Sequence, residues 1–292
     1  MLQFIRHYLL ALQFFSRIPV TGRLADWVGF SPAMLRASAA HFPGVGWLVG
    51  GVVAAFTGAL LALLPPSPMT SFSPLVAAVL GTVLSVLMTG AFHEDGLADV
   101  ADGLGGTLDR NRALEIMKDS RVGAFGAIAV GLALLAKVAL LALLGSLGNT
   151  PLCVALFLAH VVSRTWPLLT IRLLSHVGDV AGSKSKPLAD QISVRSLLAA
   201  FLWCFMAVAL VLSAQAATIL IVPGLDWQGL ALWLAAGLLA SGLAWAVMTR
   251  WFARRLQGFT GDCLGAIQQV GEIAFYLGLA LAWGLLHQGV SA

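Results

Sequence analysis

Residues 122–145 read VGAFGAIAVGLALLAKVALLALLG, an apolar run broken only by Lys137. A helix of this length crosses the ~30 Å hydrocarbon core of a bilayer. Six further stretches share its character, at 42–64, 72–92, 151–174, 197–223, 228–249 and 264–286. Backbone polar groups in lipid must be satisfied within the segment, so the spans should be helices. The expected fold is therefore all-α, a polytopic integral membrane bundle of about seven transmembrane helices. Composition agrees: of 292 residues, 59% are hydrophobic and 10% charged, against about 25% charged in soluble domains. That balance excludes an ordinary soluble enzyme, a disordered tail and a fibrous protein.

The polar segments between spans are unequal. Of the 17 Lys and Arg residues, all but Lys137, Arg164 and Arg172 fall in 1–41, 93–121, 175–196 and 250–263. Segments 65–71, 146–150, 224–227 and 287–292 have none. The positive-inside rule then puts the N-terminus in the cytoplasm and the C-terminus outside. No Lys/Arg cluster suggests a nucleic-acid groove. Residues 1–20, MLQFIRHYLLALQFFSRIPV, are too short to span, and no small-residue cleavage site follows. They read as a helix on the cytoplasmic interface. With no internal repeat, one membrane domain over 1–292 is the simplest organisation. Cys153 and Cys204 lie in apolar runs and Cys263 in a polar loop, with no metal or redox spacing among them.

Scarce charge makes its placement informative. Segment 93–121, HEDGLADVADGLGGTLDRNRALEIMKDSR, holds Glu94, Asp95, Asp99, Asp102, Asp109, Glu115 and Asp119, over half of the chain's 13 acids. A charge run is ordinarily a solvated loop. Here, if the second span continues as a helix, Asp95, Asp99 and Asp102 share one face. Like charges stacked there need neutralising, and carboxylate oxygens hold hard divalent cations that also bind phosphates. Gly103, Gly105 and Gly106 weaken a helix by about 1 kcal/mol each and allow a ligand close to the backbone. Downstream, Lys118 and Arg121 suit phosphate oxygens, with Asp119 between them. Asp262 in GFTGDCLG (258–265) stands at the mouth of the last span. Within spans, Gln268 and Glu272 are i, i+4 neighbours, as are His160 and Arg164. An intramembrane charge is functional by default, so Arg164 and Glu272 join the three glycines as candidate substrate contacts. The bland alternatives are a core histidine for His160 and a structural Arg164–Glu272 ion pair. Lys137 reads as an isolated oddity.

HEDGLADVADGLGG (93–106), ALEIMKDSRVGAFGA (113–127) and FTGDCLGA (259–266), preceded by FFSRIPV (14–20) and PGVGWLVGG (43–51), resemble the motifs of the cobalamin synthase family over nearly the whole chain. The resemblance implies a bacterial inner-membrane phosphotransferase that needs Mg²⁺, with its active site on the cytoplasmic side. It implies joining of adenosylcobinamide-GDP to α-ribazole, or its 5′-phosphate, to give adenosylcobalamin or its 5′-phosphate and GMP. Carried over by motif, Asp95, Asp99 and Asp102 are expected as metal ligands. Lys118, Asp119, Arg121 and Asp262 are the expected catalytic residues, with Asp119 or Asp262 orienting or deprotonating the attacking hydroxyl. Glu94 departs from the family, which commonly shows an apolar residue there, and takes no family role. Expected partners are the two substrates, the bilayer, a second copy of the chain and other membrane-associated enzymes of the pathway.

Three other readings compete. A lipid-forming alcohol phosphotransferase wants D-G-x-x-A-R, but Asp99 stands where its Ala would be. Aspartate-rich prenyl transferases lack the K-D-S-R-V-G return. An ion-coupled transporter would use Glu272, Arg164 and His160 as a relay, but it should show paired sites in two halves. The acids here crowd one rim.

Overall fold

A computed structural model describes residues 2–65, 72–178 and 191–288. Among them there is no strand, only one isolated bridge between His176 and Phe259. Helix α1 (Leu2–Phe15) buries Leu10, Ala11, Leu12 and Phe15 and leaves Leu2, Phe4 and Ile5 exposed. Two short helices, α2 (Arg23–Val28) and α3 (Pro32–Ser38), lead by a 3₁₀ turn into α4 (Phe42–Leu63). Then come α5 (Phe72–Thr89), α6 (Phe92–Gly106), α7 (Arg110–Ile116), α8 (Ala124–Ser146) and α9 (Asn149–Leu173). The last three are α10 (Val194–Ala216), α11 (Trp227–Arg255) and α12 (Gly261–Gln288). Among the described residues, seven helices are long and apolar enough to cross a membrane, and α6 and α7 are not among them. The chain is a multi-pass helical membrane protein.

Local chemistry sets the helix starts. Asp109 accepts from Arg112 N at 2.7 Å, and Asp226 from Gly229 N at 2.7 Å. Ser31 and Ser193 do the same for α3 and α10. Such caps satisfy N–H groups that a helix leaves orphaned in its first turn.

The middle of the bundle is α9, which runs along α4 and touches α12. Its HVVSRT stretch, 160–165, is wholly buried. Helix α4 approaches closely because Gly46 and Gly50 lie on the α9 backbone at His160 and Phe157, where a Cβ would collide. Small residues at helix crossings serve this purpose in membranes.

Three expectations need correcting. The second span does not continue through the acidic stretch. It stops at Thr89, and Gly90 (φ 68°) and Ala91 (φ 56°) turn left-handed before α6 begins. Glycine takes such a φ without steric cost. The fifth apolar stretch reads to 223, but α10 ends at Ala216 and Val222 lies in the loop that follows. Cys263 is not in a loop: the last helix starts at Gly261 and buries it. Lys184 and Lys186, counted in the charge asymmetry, lie outside the described residues.

Candidate active site

The acidic helix α6 is fixed by three neighbours. Against α12 it packs through Gly96 and Gly265. A Cβ on Gly96 would stand 2.8 Å from the Asp262 carbonyl oxygen, and one on Gly265 would press the His93 backbone. This glycine crossing sets Asp262 beside the helix that carries Asp95 and Asp99. Asp95 and Asp99 are one helical turn apart, and Asp262 comes from far along the chain. Asp95 is exposed; Asp99 and Asp262 are half-buried. Thr260 Oγ1 donates to Asp262 Oδ2 at 3.1 Å. Burial first, and then the charges of Asp262, Asp95 and Asp102, push the Asp99 pKa up to about 7.

Asp102 is turned elsewhere. Its Oδ2 accepts from Gly123 N at 2.7 Å and its Oδ1 from Gly126 N at 2.8 Å. Helix α8 has no side-chain cap of its own at Gly123, so a carboxylate from α6 fills that role. Negative charge is favoured at a helix N-terminus. Both glycines are required, since a Cβ on either would meet the carboxylate. Asp102 therefore faces α8 rather than sharing the rim with Asp95 and Asp99.

At the far end of α6, Arg255 donates to the carbonyls of Leu104 (3.3 Å) and Thr107 (2.5 Å). Arg110 reaches back to the Leu256 carbonyl at 2.6 Å. These two arginines satisfy helix C-terminal carbonyls. Gly103 is covered by Met117 and the Ala113 carbonyl, which seats α7. Gly105 lies under Phe125, and a Cβ on Gly106 would make only an ordinary contact with Ile116.

The K-D-S-R element follows α7 and ends two residues before Gly123. Lys118 is exposed. Arg121 grips Asp119 with Nη2 at 2.5 Å and Nε at 2.9 Å, in the open. Those hydrogen bonds hold the Asp119 pKa down at about 2.

Behind the rim lies a buried polar chain that crosses from α6 into the bundle. Glu94 Oε1 accepts from Gln269 Nε2 at 3.0 Å, whose other hydrogen reaches Gln268 Oε1 at 3.0 Å. Gln268 Nε2 donates to Glu272 Oε2 at 2.8 Å and to Ser163 Oγ at 3.0 Å. Glu272 Oε1 accepts from Tyr276 at 2.9 Å and lies 2.7 Å from Lys137 Nζ. The lysine sits off the angle of a directed hydrogen bond, so that contact is chiefly Coulombic. Both partners are 1% exposed. Lys137 is thus not isolated: it takes the place beside Glu272 that the sequence offered to Arg164. Arg164 instead donates through Nη1 to His160 Nδ1 and to the His160 carbonyl, both at 2.9 Å, and lies over the Phe42 ring. Its Nε, Glu94 Oε2, His93 Nε2 and His160 Nε2 have no partner. Sequence alone assigned Lys137, Glu94 and Gln269 no partner and no role. The available signal was charge or amide inside or beside an apolar run.

The donors at the rim suit a hard cation. They are carboxylate oxygens without thiolate or imidazole, as Mg²⁺ prefers, and the repulsion felt by Asp99 is what a cation offsets. Among the described residues, no three His, Cys, Asp or Glu side chains already converge enough to grip an ion. Asp95, Asp99 and Asp262 would have to swing inward.

Comparison with known proteins covers nearly the whole chain. The family described as cobalamin-5-phosphate synthase matches residues 7–280. The adenosylcobinamide-GDP ribazoletransferase of Albidiferax ferrireducens is 73% identical over 281 residues, 96% of this chain and 99% of the relative. The protein of the same name from Polaromonas naphthalenivorans is 62% identical over 97% of this chain and all of its own. That from Vibrio cholerae is 41% identical over 92% of this chain and 91% of its own. No solved structure matches the chain.

Proposed function

The chain belongs to the cobalamin-5-phosphate synthase family of enzymes, and from that premise we propose that it joins adenosylcobinamide-GDP to α-ribazole, or to its 5′-phosphate, with release of GMP. The observation that carries this reading is the glycine crossing that brings Asp262 to Asp95 and Asp99. It gathers hard oxygen donors and a proton acceptor at one rim.

A ribose hydroxyl oxygen bonds to the phosphorus that carries the cobinamide, and the bond from that phosphorus to the bridging oxygen breaks. GMP leaves with the electron pair. Such transfers rest on positioning and on neutralising charge. Asp95 and Asp99 would hold Mg²⁺, which when bound supplies positive charge against the pyrophosphate. Asp262, oriented by Thr260, accepts the hydroxyl proton. Asp119 is the weaker base, because its hydrogen bonds to Arg121 hold its pKa down at about 2. Lys118 and Arg121 meet phosphate oxygens, with Arg121 exchanging Asp119 for substrate. Asp102 acts by fixing the start of α8, two residues after Arg121. Gly103 seats α7, so it supports the K-D-S-R loop rather than touching substrate.

The positive-inside asymmetry supports a bacterial inner-membrane enzyme with this rim on the cytoplasmic face. A second copy of the chain and neighbouring enzymes of corrinoid assembly are the partners expected there. The test is to give washed membranes both precursors and Mg²⁺. Corrinoid product with EDTA-sensitive GMP release is expected. Substrate accumulation inside vesicles without product would overturn the reading in favour of transport. Asp99→Asn should stay folded and release no GMP.

A further inference from the structure

Two arginines tie the acidic helix to the turn that leads to Asp262. Arg255 ends α11 and sends Nη1 to the Leu104 carbonyl at 3.3 Å and Nη2 to the Thr107 carbonyl at 2.5 Å, both at the C-terminus of α6. Arg110 opens α7 and sends Nε to the Leu256 carbonyl at 2.6 Å, just past the end of α11. The contacts are reciprocal. Each arginine leaves its own turn, α6–α7 or α11–α12, for a carbonyl of the other. Local rules are broken to make this clasp. A cation at the first residue of a helix opposes the dipole, so Arg110 gains nothing within α7. Helix α6 ends on Gly105 and Gly106, poor helix formers, so its last carbonyls fray unless a neighbour holds them. Hydrogen bonds from a guanidinium, roughly twice as strong as neutral ones, do so.

The place of the clasp along the two helices gives it a consequence for the rim. The glycine crossing and the Glu94–Gln269 bond hold the start of α6 on α12. A helix held at one end is free to swing at the other. The clasp holds α6 again at Leu104, eight residues beyond Gly96, or about 12 Å at 1.5 Å per residue. Asp99 stands between Gly96 and Leu104, and Asp262 stands between Leu256 and Gly265. Both carboxylates therefore lie in the interval closed by the crossing at one end and the clasp at the other. The turn from Leu256 to Asp262 is pinned as well. Gln257 is left-handed (φ 55°), Gly258 fits against the Ser175 carbonyl and Val177 where a Cβ would collide, and Phe259 pairs its backbone with Ser175 at 3.1 Å and Val177 at 2.9 Å. A pull on Leu256 is passed on to Asp262.

We propose that Arg110 and Arg255 are positioning residues for the transfer, and that their clasp fixes the separation of Asp99 from Asp262. This rests on the functional reading above and extends it to two residues that meet no substrate. Their charge is spent on backbone carbonyls, and what they supply to the reaction is geometry. A misplacement near 1 Å at a reacting centre costs about a hundredfold, so a hold of this kind matters to turnover well before it matters to folding.

The test uses the full chain in detergent micelles and two readouts, amide hydrogen exchange and GMP release. Arg110→Gln and Arg255→Gln should each speed exchange over 104–109 and 256–262 by about tenfold or more, while α8 stays protected and circular dichroism shows the helices intact. Given both precursors and Mg²⁺, each should lower kcat by about tenfold or more and leave KM for either substrate within about twofold, because no substrate contact is lost. Arg110→Lys should return to within about threefold of wild type, since one ammonium can serve one carbonyl. Arg255→Lys should not, since a compact point donor does not span the two carbonyls that a fork reaches. Arg112→Gln, which removes an exposed pair with Glu115, should change neither readout. Raised KM at unchanged kcat would put these arginines on substrate and overturn the proposal. Faster exchange with undiminished kcat would reduce the clasp to support of the fold, and unchanged exchange would deny that it holds the two turns. Wild type that binds and releases nothing is the failure of the functional reading and not of the clasp, which exchange decides separately.

Discussion

Lys137→Met should cost the fold about 3–5 kcal/mol, the usual toll of stripping a buried ion of its partner. The pair lies 2.7 Å apart with each side chain 1% exposed. At an effective dielectric of about 20 the attraction is roughly 6 kcal/mol, and desolvating the two ions consumes several kcal/mol for each. The intact pair is therefore near neutral in net stability, while a lone Glu272 keeps its desolvation cost without the attraction. Its two remaining donors, Gln268 and Tyr276, limit the damage to that range. Glu272→Gln should cost a similar amount by stranding Lys137. The double variant should recover at least about 3 kcal/mol of the summed losses, because it strands neither charge. Denaturant unfolding in mixed micelles, followed by circular dichroism, measures all four proteins of the cycle. Single losses below about 1 kcal/mol, or a double loss equal to the sum, would refute the view that these two charges exist for one another.

Three further outcomes follow from the rim. Asp99 has its pKa raised from 3.8 to about 7, so without metal the fold loses stability as pH rises between those values, because the native state holds a proton that the unfolded state has released. Divalent affinity should fall as pH drops below about 7, with proton release on binding. GMP release titrated with Mg²⁺ at several pH values checks this, and a pH-independent requirement would contradict it. Asp102→Asn should lower stability by about 1–2 kcal/mol through the lost α8 cap while leaving the apparent Mg²⁺ affinity within about twofold. A loss of metal affinity matching that of Asp99→Asn would restore Asp102 to the metal set. Gly96→Ala places a Cβ 2.8 Å from the Asp262 carbonyl, and a displacement near 1 Å at a reacting centre costs about a hundredfold. GMP release should drop by at least tenfold in protein that still folds, and undiminished turnover would deny the crossing its role.

The seven spans are legible in sequence because length and hydropathy act locally, within one helix. So is the identity of the acidic helix. Its orientation is not. Periodicity sets Asp102 on the face of Asp95 and Asp99, but its carboxylate is claimed by Gly123 and Gly126, 21 and 24 positions on. Nothing in the spacing announces that α8 lacks its own cap. Lys137 looked stray because its partner sits on another helix across the bundle. The corner at Gly90–Ala91 hides inside a continuous apolar run, since one left-handed glycine turn leaves hydropathy unchanged. Motif resemblance singled out the candidate residues. The packing of α6 on α12 brings Asp262 to the rim, and the start of α8 draws the Asp102 carboxylate away from it.

The buried chain from Glu94 also sets a timetable. Glu94 finds its hydrogen-bond donor in Gln269, 175 residues later, and Gly96 meets α12 only when Asp262 exists. At 5–20 residues per second, roughly ten to thirty-five seconds of synthesis separate the two. Through that interval the nascent chain carries an acidic helix with no mate and a lysine in α8 with no counterion. The final helix is the keystone of assembly, so a ribosome stalled before it would present an intermediate whose buried polar chain lacks half of its members.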